Sequence, residues 1–208
     1  MKWSVFVAAA LGAMGLFSCQ PTTSTQRGEG QQAASVSDSV VVEAASGEVV
    51  ETTYFPAIER YLADTVGAAY APAPYSIPSY TIVRVDERKS DDILVWGDFW
   101  VFNYKLCGDT LVTVSGGNHP GLLHIRQTDT GFEVTGFDQV ADGAGNTESA
   151  KEIFGKKYDV FRDLNGDEKK REQRRALLIA RYAAQHHLAA SCYQDYGWPA
   201  VALPKWEE

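Results

Sequence analysis

Positive charge is scarce: 19 Lys and Arg stand against 27 Asp and Glu, a formal net charge of −8. Nothing in that balance neutralises phosphate in bulk, which excludes non-specific nucleic-acid binding. Histidine is scarcer still, with four. His186 and His187 are neighbours, and on a helix adjacent side chains point about 100° apart, so they chelate one ion poorly. His119 and His124 have no Cys or carboxylate at ligand spacing, so no metal or other cofactor is expected. A phosphate cradle, a Rossmann spacing and a nucleophile elbow are all missing. No internal repeat is visible. Only one long apolar run occurs, Trp3–Phe17, which excludes a multi-span membrane protein. What remains is ordinary. Hydrophobic residues make up 45% and charged residues 22%, which excludes a collagenous or fully disordered chain. One domain with an attached segment is the expectation for 208 residues.

The N-terminus has the form of an address. Lys2 precedes the apolar run, which is short for a membrane span and about right for a signal-peptide core. The run ends in Leu16-Phe17-Ser18-Cys19. This resembles a bacterial lipobox, and the resemblance implies that residues 1–18 are removed and that Cys19 is acylated. Residues 19–53 begin rich in Thr, Ser, Gln and Gly and cannot bury enough apolar area to offset ordering entropy. They read as a flexible tether, with Val40-Val41-Val42 and Val49-Val50 as its only sticky spots. Two acyl chains then make the membrane the first expected partner, through anchoring and not spanning. Gln20 follows the cysteine, so no acidic residue signals inner-membrane retention, and the outer membrane of a bacterial cell envelope is the expected location.

Residues 54–208 read as a single α+β domain. Ile58, Leu62, Val66 and Ala69 recur at helical spacing, and Pro56 suits a first turn. From Tyr80 to Val140 the signals are those of strands. Thr81 to Val85 is β-branched, and Trp96, Trp100, Phe102 and Tyr104 share one parity of a long run from Asp92 to Leu106. Cys107-Gly108-Asp109 and Thr128-Asp129-Thr130-Gly131 are turns, and Gly116–Gly121 reads as a loop. Short turns require antiparallel pairing, so a curved meander of four or five strands covered by the first helix is expected. Ser149 to Glu152 fits a capping box that opens a helix. Asp163 to Asp167 reads as a break, and a longer helix is expected from about Asp167 to Ala190, with His187 in its alanine stripe.

This order, helix and then curved sheet followed by C-terminal helices, resembles the cystatin-like and NTF2-like folds. The stretch GDFWVFNYKLCGDTLVTVSGGNHPGLLHI, with FDQVADGAGNTESAKEIFG after it, is similar to a group of small secreted or lipid-anchored bacterial proteins. The similarity covers roughly residues 54–200, and its motifs carry no chemistry. The NTF2-like fold hosts both enzymes and binding modules, so it licenses no reaction.

The candidate binding residues are Trp96, Trp100, Asn118, His119 and His124. The two indoles either line a cavity under the sheet or form the core that the first helix covers. His119 stands among three glycines, which let a ligand approach or simply make a polar strand connection. Asp163-Leu164-Asn165-Gly166-Asp167 imitates a calcium loop, but Glu168 stands where glycine is required and Arg174 where the bidentate Glu belongs, so no metal is expected there. Lys169-Lys170-Arg171 and Arg174-Arg175 alternate with Glu168 and Glu172 and read as a solvated helix face.

No catalytic residue can be named from these motifs. The first expectation is a lipid-anchored envelope protein that binds an unknown protein or small molecule. An alternative is an NTF2-like enzyme, with His119 or His124 as base beside Asp98 or Asp138 in the sheet cavity. A third reading has exposed aromatics near Trp198 dock a partner. Once Cys19 is acylated, Cys107 and Cys192 remain, either joined as a disulfide or as two free thiols.

Overall fold

The computed structural model describes residues 53–206, all of which belong to one compact unit. The signal segment 1–18, the lipidation candidate Cys19 and the tether up to residue 52 lie outside the described residues. Among those described, no helix is long and apolar enough to cross a membrane.

The fold is α+β, with a six-stranded mixed sheet curled into a half-barrel. Helix α1, Phe55–Tyr61, carries Pro56 in its first turn, as its fixed φ favours. It runs on as a five-residue π-turn, Leu62–Val66. Strands β1 (Tyr75–Asp86), β2 (Ile93–Cys107), β3 (Thr110–Thr128) and β4 (Gly131–Gln139) form an antiparallel meander. Three helices follow: α2 (Asn146–Phe154), α3 (Tyr158–Gly166) and α4 (Glu168–Gln185). The chain then returns as β5 (Cys192–Gln194), which pairs parallel with the start of β3, and β6 (Val201–Ala202), antiparallel to β5. The purely antiparallel meander expected from the sequence is therefore extended by a parallel strand.

Gly116–Gly121 is not a loop. It is the middle of β3, which runs unbroken for 19 residues. The glycines are there because other groups come close. A Cβ on Gly116 would stand 2.2 Å from the Val101 carbonyl oxygen, and one on Gly121 would stand 2.3 Å from that of Asp138.

Strand alternation gives the sheet two buried faces. The odd residues of β2, Val95, Phe99 and Val101, pack with Leu123 and Ile125 under Ile58, Leu62 and Val66 of the first helix and its π-turn. The even residues include the aromatic series. Trp96 packs with Ala150, Phe154 and Phe161 of α2 and α3, whereas Tyr104 packs with Ile77, Leu111, Ala176, Ile179 and Tyr193. The aromatic parity expected from the sequence is correct, but the C-terminal helices cover it, and α1 covers the opposite, more aliphatic face. Helix α4 lies against β1, with Leu178 reaching one core and Ile179 the other.

Several helix boundaries differ from expectation. Helix α2 begins at Asn146, and Ser149 lies inside it, accepting from the Ala141 N–H. Asp163–Gly166 is helical, and the break falls at Asp167, whose carboxylate caps α4 by accepting from the Lys170 N–H. Helix α4 stops at Gln185, so His187 is exposed and outside the alanine stripe.

Candidate functional site

The aromatic face of β2 is closed by arginines. The Arg84 guanidinium lies 4.5 Å from the ring centre of Trp96, Arg171 lies 5.0 Å from Trp100, and Arg175 lies 3.9 Å from Phe102. Cations over indole and phenyl faces are attracted by the ring quadrupole, more strongly where water is excluded. The Trp96 indole N–H donates to the Ile153 carbonyl at 2.9 Å. Trp96 is thus a core residue and Trp100 a half-buried one, and both indole N–H groups are satisfied.

Asp98 sits between the two indoles at 2% exposure. It accepts from the Trp100 indole at 3.1 Å, from the Asn165 amide at 3.2 Å and from the Asn118 amide. Three neutral donors satisfy this buried carboxylate, as a charge removed from water requires. Asn118 is therefore a positioning partner of Asp98, and Asn165, from the stretch that imitates a calcium loop, is another.

The basic run of α4 is not a solvated face throughout. Lys169 and Lys170 are exposed, but Arg175 is 4% exposed. Its guanidinium donates twice to Asp195, at 2.7 and 2.8 Å, and to the Tyr104 hydroxyl at 2.8 Å. Burial pushes the Tyr104 phenol up to about 12, against the pull of Arg175. Burial alone lowers the Arg175 pKa, but its bonds to Asp195 and Tyr104 more than reverse that. Asp195 roots a turn in which the Trp198 N–H donates to the Asp195 carbonyl at 3.1 Å and the Gln194 amide to the Trp198 carbonyl at 2.8 Å. Gly197 takes φ +79° there, a conformation glycine adopts without strain.

Tyr196 and Trp198 project from this turn at 96% and 72% exposure. Among the described residues the other exposed large apolar side chains are Val114, Val160 and Val201. Val201 belongs to β6, and Val114 is the extra residue of a β3 bulge one position beyond Thr113, which donates to Asp195. Four of these five therefore lie around the β3–β5–β6 end of the sheet.

The two strand histidines are on opposite faces. The Tyr70 hydroxyl pairs with His119 Nε2 at 2.8 Å, and His119 Nδ1 pairs with the Gln139 side-chain oxygen at 2.9 Å. Both ring nitrogens are therefore hydrogen-bonded. His124 has Asp92 on Nδ1 at 2.8 Å and Asp138 on Nε2 at 3.3 Å. Burial lowers its pKa, but the two carboxylates outweigh burial and the net shift is upward. The carboxylates stand on opposite edges of the ring, so the three groups do not converge on one ion. Asp138 does pair with His124, as the alternative reading supposed, whereas Asp98 pairs with no histidine.

Cys107 and Cys192 are free thiols. Thr110 lies between them in the sheet, paired with both, which puts their Cα atoms about 10 Å apart across two strand spacings. A disulfide spans at most about 7 Å between Cα atoms.

A cleft of about 450 Å³ opens between the first helix with its π-turn, the start of β1 and the C-terminal half of α4. Glu59 and Arg181 pair at its wall, and the Tyr80 hydroxyl donates to the same Glu59 oxygen at 2.7 Å. Sequence reasoning missed this cleft because its residues come from three separate stretches with no shared motif. Compared with known proteins, the chain matches no family model, no curated protein and no solved structure.

Proposed function

We propose that this chain is a lipid-anchored protein of the bacterial cell envelope, held in the outer membrane through acyl chains on Cys19, and that its folded unit is a binding module. The observation that carries the binding role is the Asp195–Trp198 turn. Two large rings face solvent on a backbone that a buried, doubly bonded guanidinium holds in place. Fixing exposed aromatics in this way lowers the ordering cost of binding, and Tyr and Trp are the residues that most often anchor interfaces. The lipobox-like segment and the polar stretch after it support the anchor. The first helix packed on a curled sheet supports a cystatin-like or NTF2-like reading of the fold.

The alternative, an acid–base enzyme, draws on the His124–Asp138 contact. Against it stands the position of the strand histidines, neither of which lines the cleft between the first helix and α4.

Two experiments test the proposal. Labelling with a palmitate analogue should mark the wild type and not Cys19→Ala; equal labelling of both overturns the anchor. A photo-crosslinking residue at position 198, in chains expressed in the native envelope, should give a discrete adduct. The same residue at position 160, apolar and exposed but on α3, should not give it. Identical adduct patterns at the two positions overturn the binding role of the turn.

A further inference from the structure

The geometry points to a second site, the cleft between the π-turn and α4, and to a neutral sugar as its ligand. This site is separate from the aromatic turn and does not depend on the anchor. The cleft is of the size that holds small ligands. Its charges balance: Glu59 and Asp64 are matched by Arg60 and Arg181, so no net field selects an anion or a cation. The side chains of Asp64, Gln185 and His186 border the cleft at exposed positions. They supply a carboxylate acceptor, an amide that both donates and accepts, and an imidazole. Planar groups of mixed polarity suit vicinal hydroxyls, each of which donates and accepts. Tyr182 and His186 stack at 4.0 Å with 27° between their planes, which presents an aromatic pair beside those polar groups. The C–H face of a pyranose packs on such a surface.

The backbone adds an independent observation. Ala63 and Asp64, two cleft residues, belong to the five-residue π-turn. π-helices account for well under 1% of residues and are frequent at functional sites. Glu59, Arg60, Ala63 and Asp64, one helical turn apart in two pairs, all border the cleft.

The test uses the full chain bearing Cys19→Ala and a panel of neutral mono- and disaccharides, read by saturation-transfer NMR and calorimetry. At least one sugar should bind in the micromolar to millimolar range. Asp64→Ala and Gln185→Ala, both at exposed positions, should weaken it tenfold or more while thermal unfolding stays unchanged. Tyr182→Phe should keep the stack and most of the affinity, and Tyr182→Ala should lose it. The inference is overturned if no sugar binds at millimolar concentration. It is equally overturned if binding survives both exposed substitutions, or if simple amines or carboxylates bind in place of sugars.

Discussion

Arg175 shows how much one side chain can organise. It closes the aromatic face over Phe102, satisfies the Tyr104 hydroxyl and holds the C-terminal turn through Asp195. Arg175→Met keeps much of the volume but leaves a buried phenol without its donor and a carboxylate with only the Thr113 hydroxyl. We expect a loss of about 3 kcal/mol, the low end for breaking a buried pair because Asp195 keeps some contact with water. Urea denaturation measures it, and amide exchange in residues 192–203 should accelerate more than in β2. His124 carries a pH dependence with a defined sign. Its folded pKa lies above the ordinary 6.5, so the stabilisation from Asp92 and Asp138 is fully present below that pH. It is lost as pH rises through the folded value. Thermal midpoints between about pH 5 and 8 should therefore show a component falling with pH that His124→Gln removes. Identical profiles for the two proteins would contradict the assignment.

At the scale of elements, the end of α4 explains why the helix stops short of the expected Ala190. The Leu188 N–H donates to the Ala183 carbonyl at 2.8 Å and the His187 N–H to the Ala184 carbonyl at 3.2 Å. This is the paired-bond helix stop that places one residue in the left-handed region, usually glycine. Here His187 takes that place, at φ +52°. The side chain is exposed, so little packing is at stake. Replacing His187 with Gly should raise stability by about 0.5–1 kcal/mol, the release of left-handed strain less the entropy that glycine loses. His187→Ala should bring no such gain. Chemical denaturation of the three proteins side by side checks the order. In β3 the need for glycine has a different origin, since close approach of the Val101 carbonyl requires one at position 116.

At the scale of the whole molecule, the return of the chain as β5 and β6 adds the C-terminal segment to the sheet beside the start of β3. It also sets the fate of the cysteines. With Thr110 between them, Cys107 and Cys192 should both be alkylated without prior reduction, and mass spectrometry should find no linked peptide. A mass lower by two hydrogens would show that the strand order opens to let them meet. The first helix, most of the strand character from Tyr80 to Val140, the tight turns and the shared face of Trp96, Trp100, Phe102 and Tyr104 were legible in the chain, because each follows from local periodicity or turn chemistry. Gly116–Gly121 was not, because glycines that admit close neighbours inside β3 look like a loop in sequence. Which helix covers that aromatic face was not legible, since any apolar stripe satisfies a sheet face equally well. Nor was the burial of Arg175, because a charge enters a core only where distant groups, here Tyr104 and Asp195, converge to bind it. The histidines followed the same rule: the chain made His119 and His124 available, but their partners Tyr70, Gln139, Asp92 and Asp138 come from other segments. Local pattern determines period and turn, and only the closure of the sheet decides which side chains meet, because meeting depends on register and curl that no single segment encodes.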